Sequence, residues 1–217
     1  MGSPERKSGM PIDLQVDPRN PYRIFVNNYG GGNFISEDGG ETWQDASSGY
    51  SGAIVYALAL PPGNGDTLFA GADTATFRSD DGGMNWHGTE IAMAPAILIT
   101  TEPGSSSYSI YTTTSEEGFI NISRDGGETW TEVSVSPIGA THYEMRALAV
   151  APSDPQVMFT GFMIGGCPGM QETIYLPSCD STTPGLFRSQ DGGNTWIKVS
   201  GAPFDQTIVL GVAIHPG

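Results

Sequence analysis

The chain has 217 residues, 38% of them hydrophobic, with 30 glycines and 16 prolines. That is enough apolar material to bury a core, but only in a fold broken by frequent turns. Nine basic against 24 acidic residues leave a net charge of −15, which repels phosphate backbones and anionic membranes and excludes nucleic acid as a partner. No apolar run is long enough to cross a bilayer.

The opening "MGSPERKSGM" is polar and lacks the apolar core of a signal peptide, so residues 1–11 read as a disordered leader. From Ile12 onward the chain reads as strands. The stretch "IDLQVDPRNPYRIFV" is an alternating apolar run, a turn and a second apolar run, the pattern of a β-hairpin. It recurs as "VYALALPPGNGDTLFAG", "AILITTEPGSSSYSIYT" and "MRALAVAPSDPQVMFTG". After each hairpin comes a second, tighter one. Its turn reads "SEDGGETW" from Ser36, "SDDGGMNW" from Ser79, "SRDGGETW" from Ser123 and "SQDGGNTW" from Ser189. The period is about 44 residues, with one insertion of about 22 before the last copy.

Each unit therefore holds four strands, A to D. In the fourth they are expected at Met145–Val150, Val157–Met163, Gly185–Ser189 and Thr195–Val199. Four-stranded units of this length point to an all-β β-propeller of antiparallel blades. The blades are expected at about 12–53, 54–94, 95–144 and 145–207. The closing "IVLGVAIHPG", residues 208–217, matches a fifth strand A, which makes the chain an arc of a larger ring.

The pattern Ser-x-Asp-x-Gly-x-Thr-Trp resembles the Asp box, or BNR repeat, of propeller proteins. These include sialidases, xyloglucan-cleaving glycoside hydrolases, sortilin-type receptors and photosystem II assembly factors. The resemblance covers residues 12–217. One copy departs from it: Asn85 stands where the others carry threonine. The structural box residues are Ser36, Asp38, Gly40 and Trp43; Ser79, Asp81, Gly83 and Trp86; Ser123, Asp125, Gly127 and Trp130; and Ser189, Asp191, Gly193 and Trp196. Serine and aspartate supply short acceptors for turn N–H groups, the glycines allow positive φ, and the tryptophan packs on the blade edge. Fourfold copying argues for a turn staple, since a catalytic acid needs one unique setting. The boxes also lack the spaced oxygen ligands of a calcium loop.

In such a meander the A–B and C–D turns share one face, and the B–C and D–A connections share the other. Ligands of related propellers sit on that second face, where loops on a rigid scaffold concentrate function. The candidates there are Tyr29, Tyr50, Asp73, Glu116, Glu117, His142, Tyr143 and Glu144. Tyrosines beside carboxylates suit a sugar, by stacking and by hydrogen bonds. "THYEMR" is the densest cluster, with a histidine that titrates near neutrality and a carboxylate suited to acid–base work. His87, His142 and His215 are too scattered for a metal site, and no cofactor is expected. Cys167 and Cys179 close a Gly/Pro/Ser-rich loop and are expected to form a disulfide, which implies an extracellular or periplasmic setting. The sequon at Asn121 overlaps a box and is a coincidence of spelling.

A sialidase requires an arginine triad and an Arg-Ile-Pro element. "YRIFV" at Tyr22–Val26 has no proline after Arg23-Ile24. The favoured reading is a non-catalytic binding or scaffold propeller for a carbohydrate or a protein, prone to self-association if the ring is incomplete. The alternative is a piece of a glycoside hydrolase acting through paired carboxylates.

Overall fold

The structure is a computed structural model. It describes residues 10–29, 32–49, 53–91, 94, 96–101, 107–114, 119–135, 143–164, 185–199, 201, 209 and 211–215. Every regular element among them is a β-strand. The strands are β1 (Met10–Asp17), β2 (Asn20–Tyr29), β3 (Gly32–Ser36), β4 (Gln44–Asp45), β5 (Val55–Ala59), β6 (Leu68–Ala72), β7 (Thr76–Ser79) and β8 (His87–Gly88). They continue as β9 (Ile97–Thr101), β10 (Tyr108–Thr113), β11 (Phe119–Ser123), β12 (Thr131–Ser134), β13 (Tyr143–Ala151), β14 (Asp154–Ile164), β15 (Leu186–Ser189) and β16 (Ile197–Lys198).

These strands form four separate four-stranded sheets, each an antiparallel meander in chain order: β1–β4, β5–β8, β9–β12 and β13–β16. Strands A to D of the sequence pattern are thus real and stand in four blades. The first strands converge: β1 and β2 pack on β5, β5 and β6 on β9, and β9 and β10 on β13. No comparable packing joins β13 back to β1 among the described residues. The blades form an arc, and the sheets do not close. Of the leader expected at 1–11, Met10 and Pro11 open β1, and the rest lies outside the described residues.

Each blade contributes two faces, and the core lies between blades. One cluster joins Phe25 and Ile35 of the first blade to Leu68, Ala70, Ala72 and Phe77 of the second. Another joins Tyr111, Ile120 and Ile122 of the third to Met158 and Phe187 of the fourth. Strand alternation accounts for this arrangement. Phe25 pairs with Ile35, and the neighbouring Ile24 pairs with Ser36, so alternate residues face opposite sides of the sheet, and Phe25 and Ile35 share the side that meets the second blade.

"NNYGGGN" reads as a loop in sequence, yet β2 runs through Tyr29 and β3 resumes at Gly32. The buried Asn27 side chain explains the extension. Its Nδ2 donates to the Val55 carbonyl at 2.6 Å, so the asparagine is an inter-blade tie rather than a loop tip.

Candidate functional site

The four boxes are superimposable in their bonding. Ser36 Oγ donates to Asp38 Oδ1 at 2.7 Å and accepts the Gly40 N–H at 2.8 Å. Asp38 Oδ1 also accepts the Thr42 N–H at 2.9 Å, while Thr42 Oγ1 donates to Oδ2. The same contacts recur about Asp125 with Ser123, Gly127 and Thr129. They recur again about Asp191 with Ser189, Gly193 and Thr195. In the second box Asn85 replaces the threonine without loss: its Nδ2 donates to Asp81 Oδ2 at 2.7 Å and its N–H to Oδ1 at 2.9 Å. The amide reaches the oxygen that the hydroxyl serves elsewhere.

Both box glycines have positive φ, 79° and 98° at Gly39 and Gly40, which a residue with a Cβ adopts only under strain. Each tryptophan closes its own turn: Trp43, Trp86, Trp130 and Trp196 donate from Nε1 to the carbonyls of Gly40, Gly83, Gly127 and Gly193. Hydrogen bonds from the threonine or asparagine hold Asp38, Asp81 and Asp125 down at about 2, and lower Asp191 as well. These carboxylates are ionised, and both oxygens of each accept hydrogen bonds.

The boxes also join blades through arginines, a role the sequence reading missed. Arg23 Nη2 donates to the Gly82 carbonyl at 3.3 Å, Arg78 Nη1 to Gly126 at 3.1 Å and Arg124 Nη2 to Gly192 at 3.1 Å. In every case the acceptor is the first glycine of the next blade's box. The same face carries a bidentate pair, Arg19 to Asp66 at 3.1 and 3.2 Å, between successive A–B turns. A legible signal existed: in a chain with only nine basic residues, Arg78, Arg124 and Arg188 all lie within or directly before a box.

On the opposite face, Asp73 is the one sequence candidate whose side chain is described. Its Oδ1 accepts the Ile54 N–H at 2.8 Å, and its own N–H returns to the Ile54 carbonyl at 3.0 Å. It ties the B–C turn of the second blade to the start of that blade's inner strand. Tyr29 ends β2, and Tyr143 and Glu144 begin β13, paired with Ile164 and Met163. Their side chains lie outside the described residues, as do Tyr50, Glu116, Glu117, His142, Cys167 and Cys179. The structure therefore brings together the box residues but does not place the second-face cluster. Among the described residues no three His, Cys, Asp or Glu side chains converge on a metal-sized site.

A family model described as Sortilin, neurotensin receptor 3 (Sortilin-Vps10), matches residues 32–160. The chain is 29% identical over 111 residues to vacuolar protein sorting/targeting protein 10 of Schizosaccharomyces japonicus (strain yFS275 / FY16936). That match spans 50% of this chain and 7% of the relative's length. In fold it is similar to an ancestral GH74 enzyme, with TM-score 0.69, 19% identity, and coverage of 90% of this chain and 25% of that one. It is also similar to the GH74 xyloglucanase of Xanthomonas campestris, with TM-score 0.63, 16% identity and coverage of 86% and 29%. A structure of YCF48 bound to D1 peptide has TM-score 0.50, 14% identity and coverage of 88% and 81%. Repeated Asp-box blades, their arc and the matched segment agree: the chain belongs to the Sortilin-Vps10 family.

Proposed function

We propose that this chain is part of a non-catalytic receptor propeller that binds a partner polypeptide through the face opposite the Asp boxes. The observation that carries this reading is the state of the acids. Asp38, Asp81, Asp125 and Asp191 are each consumed by the same turn geometry, and Asp73 is bonded to the Ile54 N–H. Carboxylates spent on backbone N–H groups supply rigidity rather than acid–base chemistry.

Family membership supports a sorting or receptor role, in keeping with the name of the protein sorting/targeting relative. YCF48, a propeller of similar fold, was solved with a peptide bound. The acidic chain favours a ligand with basic residues, since opposite charge raises encounter rates. In this reading Tyr29, Tyr50, Tyr143 and Glu144 border the ligand, and the setting is extracellular or the lumen of the secretory pathway.

The test is a peptide array probed with the chain, run beside xyloglucan oligosaccharides in both binding and reducing-sugar assays. Expected are binding to basic peptides that Glu144→Gln weakens and Asp125→Ala leaves unchanged in affinity, and no release of reducing sugar. Hydrolysis of xyloglucan that a loop-carboxylate substitution abolishes overturns the reading in favour of a glycoside hydrolase. Saccharide binding without peptide binding overturns the choice of ligand.

A further inference from the structure

Asn64 and Gly65 form the only Asn-Gly pair in the chain. They lie in the turn between β5 and β6, with Asn64 half-buried and Gly65 buried. The Asn64 side chain shapes this turn. Its Oδ1 accepts the N–H of Asp66 at 2.9 Å and of Thr67 at 3.3 Å, and its Nδ2 donates to Thr67 Oγ1 at 3.1 Å. Gly65 is fixed by the first blade, because a Cβ there would collide with the Asp17 carboxylate. The fold therefore asks for both residues, in this order.

Three ties between elements meet at this turn. The Gly65 carbonyl accepts Arg23 Nη1 at 3.2 Å, and the Asp66 carboxylate holds Arg19 at 3.1 and 3.2 Å. The Asp66 carbonyl accepts the Gly82 N–H of the second box at 2.7 Å. A change in backbone length at residue 64 displaces all three. The chain also holds four Asp-Gly pairs, one in each box, which cyclise by the same chemistry when their acids are protonated. In the boxes those acids are held ionised by the donors on their oxygens, and an ionised carboxylate is a poor electrophile. The Asn64 amide is neutral. Two N–H groups on its Oδ1 draw charge onto that oxygen, as donors to a tetrahedral intermediate do.

We propose that Asn64–Gly65 is a covalent modification site, where spontaneous deamidation loosens the joint between the first two blades. The Gly65 backbone nitrogen attacks Asn64 Cγ, and glycine leaves that nitrogen unshielded by a Cβ. The N–Cγ bond forms, the Cγ–Nδ2 bond breaks, and the proton of the attacking nitrogen leaves with Nδ2 as ammonia. Water then opens the succinimide at one carbonyl or the other, giving an aspartyl or an isoaspartyl residue. Both products lose the Nδ2 donor to Thr67 Oγ1 and add a negative charge beside Asp66. In the isoaspartyl product the backbone runs through Cγ, which carries Gly65 and Asp66 away from Arg23, Arg19 and Gly82.

The test is ageing of the folded 217-residue chain at mildly alkaline pH, followed by peptide mapping that separates isoaspartate from aspartate. Expected is conversion at residue 64 ahead of every other asparagine, with the four box Asp-Gly pairs intact. Converted and unconverted chains, separated by ion exchange, then go to urea unfolding. The isoaspartyl form is expected to unfold at a lower midpoint. Asn64→Ser keeps a turn acceptor without the reactive amide, and is expected to give no converted species and no loss of midpoint on ageing. Asn64→Asp supplies the charge alone and is expected to lose less than the isoaspartyl form. Conversion at residue 64 only after unfolding in urea overturns the proposal, since the fold then shields the site. So does an isoaspartyl form with the parent's midpoint, or conversion of the box pairs as fast as residue 64. A midpoint for Asn64→Asp as low as that of the isoaspartyl form assigns the loosening to charge and overturns the backbone account.

Discussion

Arg78 and Gly126 lie on different blades, 48 residues apart, and are joined by a 3.1 Å hydrogen bond from guanidinium to carbonyl. The same guanidinium also holds Asp80 and Glu128. A box turn is thus fastened twice: internally by its own aspartate, and externally by an arginine of the preceding blade.

That double fastening makes Arg78→Ala costly. Removing a charged donor from several acceptors is expected to cost roughly 1.5–3 kcal/mol. Arg78→Lys should recover only part, because an ammonium cannot present the planar fork that serves three acceptors. Urea unfolding of the two variants beside the parent chain checks both magnitudes.

The box aspartates predict acid sensitivity. Asp38, Asp81 and Asp125 sit at about 2 in the folded chain, below their ordinary 3.8, because threonine, asparagine and backbone donors favour the ionised form. A depressed folded value means stability that is full above the unfolded value and lost as pH falls through the folded one. The melting temperature is therefore expected to hold from neutrality to about pH 4 and to fall steeply between about 4 and 2. Asp125→Asn should flatten part of that fall, as seen by circular dichroism melts at stepped pH.

Trp86 and Trp43 occupy equivalent box positions in different settings. Trp86 is 5% exposed, and its Nε1 donates both to its own turn and to the Ala46 carbonyl of the first blade at 2.8 Å. Trp43 is 39% exposed and bonds only within its turn among the described contacts. Trp86→Ala is expected to cost about 3–5 kcal/mol, and Trp43→Ala well under half of that. Chemical denaturation of both variants decides it.

Gly49 has φ 102°, and a Cβ there would lie 1.9 Å from the Trp86 carbonyl oxygen. Gly63 has φ 73° and nothing within 4 Å. Gly63→Ala is expected to cost only the backbone term, about 1–2 kcal/mol. Gly49→Ala adds a backbone clash, since the Ser48 carbonyl accepts the Trp86 N–H at 2.8 Å and holds the segments together. A drop in melting temperature at Gly49 no larger than at Gly63 contradicts this account.

Cys167 and Cys179 are expected to be bonded in the native protein, with a loop-closing gain of about 3 kcal/mol. Intact mass after alkylation, with and without reductant, measures it. Two alkylated thiols in the unreduced native sample refute the bond.

The sequence by itself determined the blade and its count. Strand alternation and a four-times-repeated turn are local properties, and each box needs only the seven or eight residues it contains. That is why the Ser36, Asp38 and Gly40 bonding was legible, and why Asn85 was the one position left in question. The tertiary structure decided what passes between blades. Arg23, Arg78 and Arg124 come from three different positions in the repeat, yet reach the same box carbonyl in the next blade. The placement of Arg78 and Arg124 beside boxes is visible in the sequence, but their shared acceptor is not, because long side chains converge only once the blades are packed. Asn27 read as a loop residue for the same reason: its partner, the Val55 carbonyl, is 28 residues away in sequence and 2.6 Å away in space.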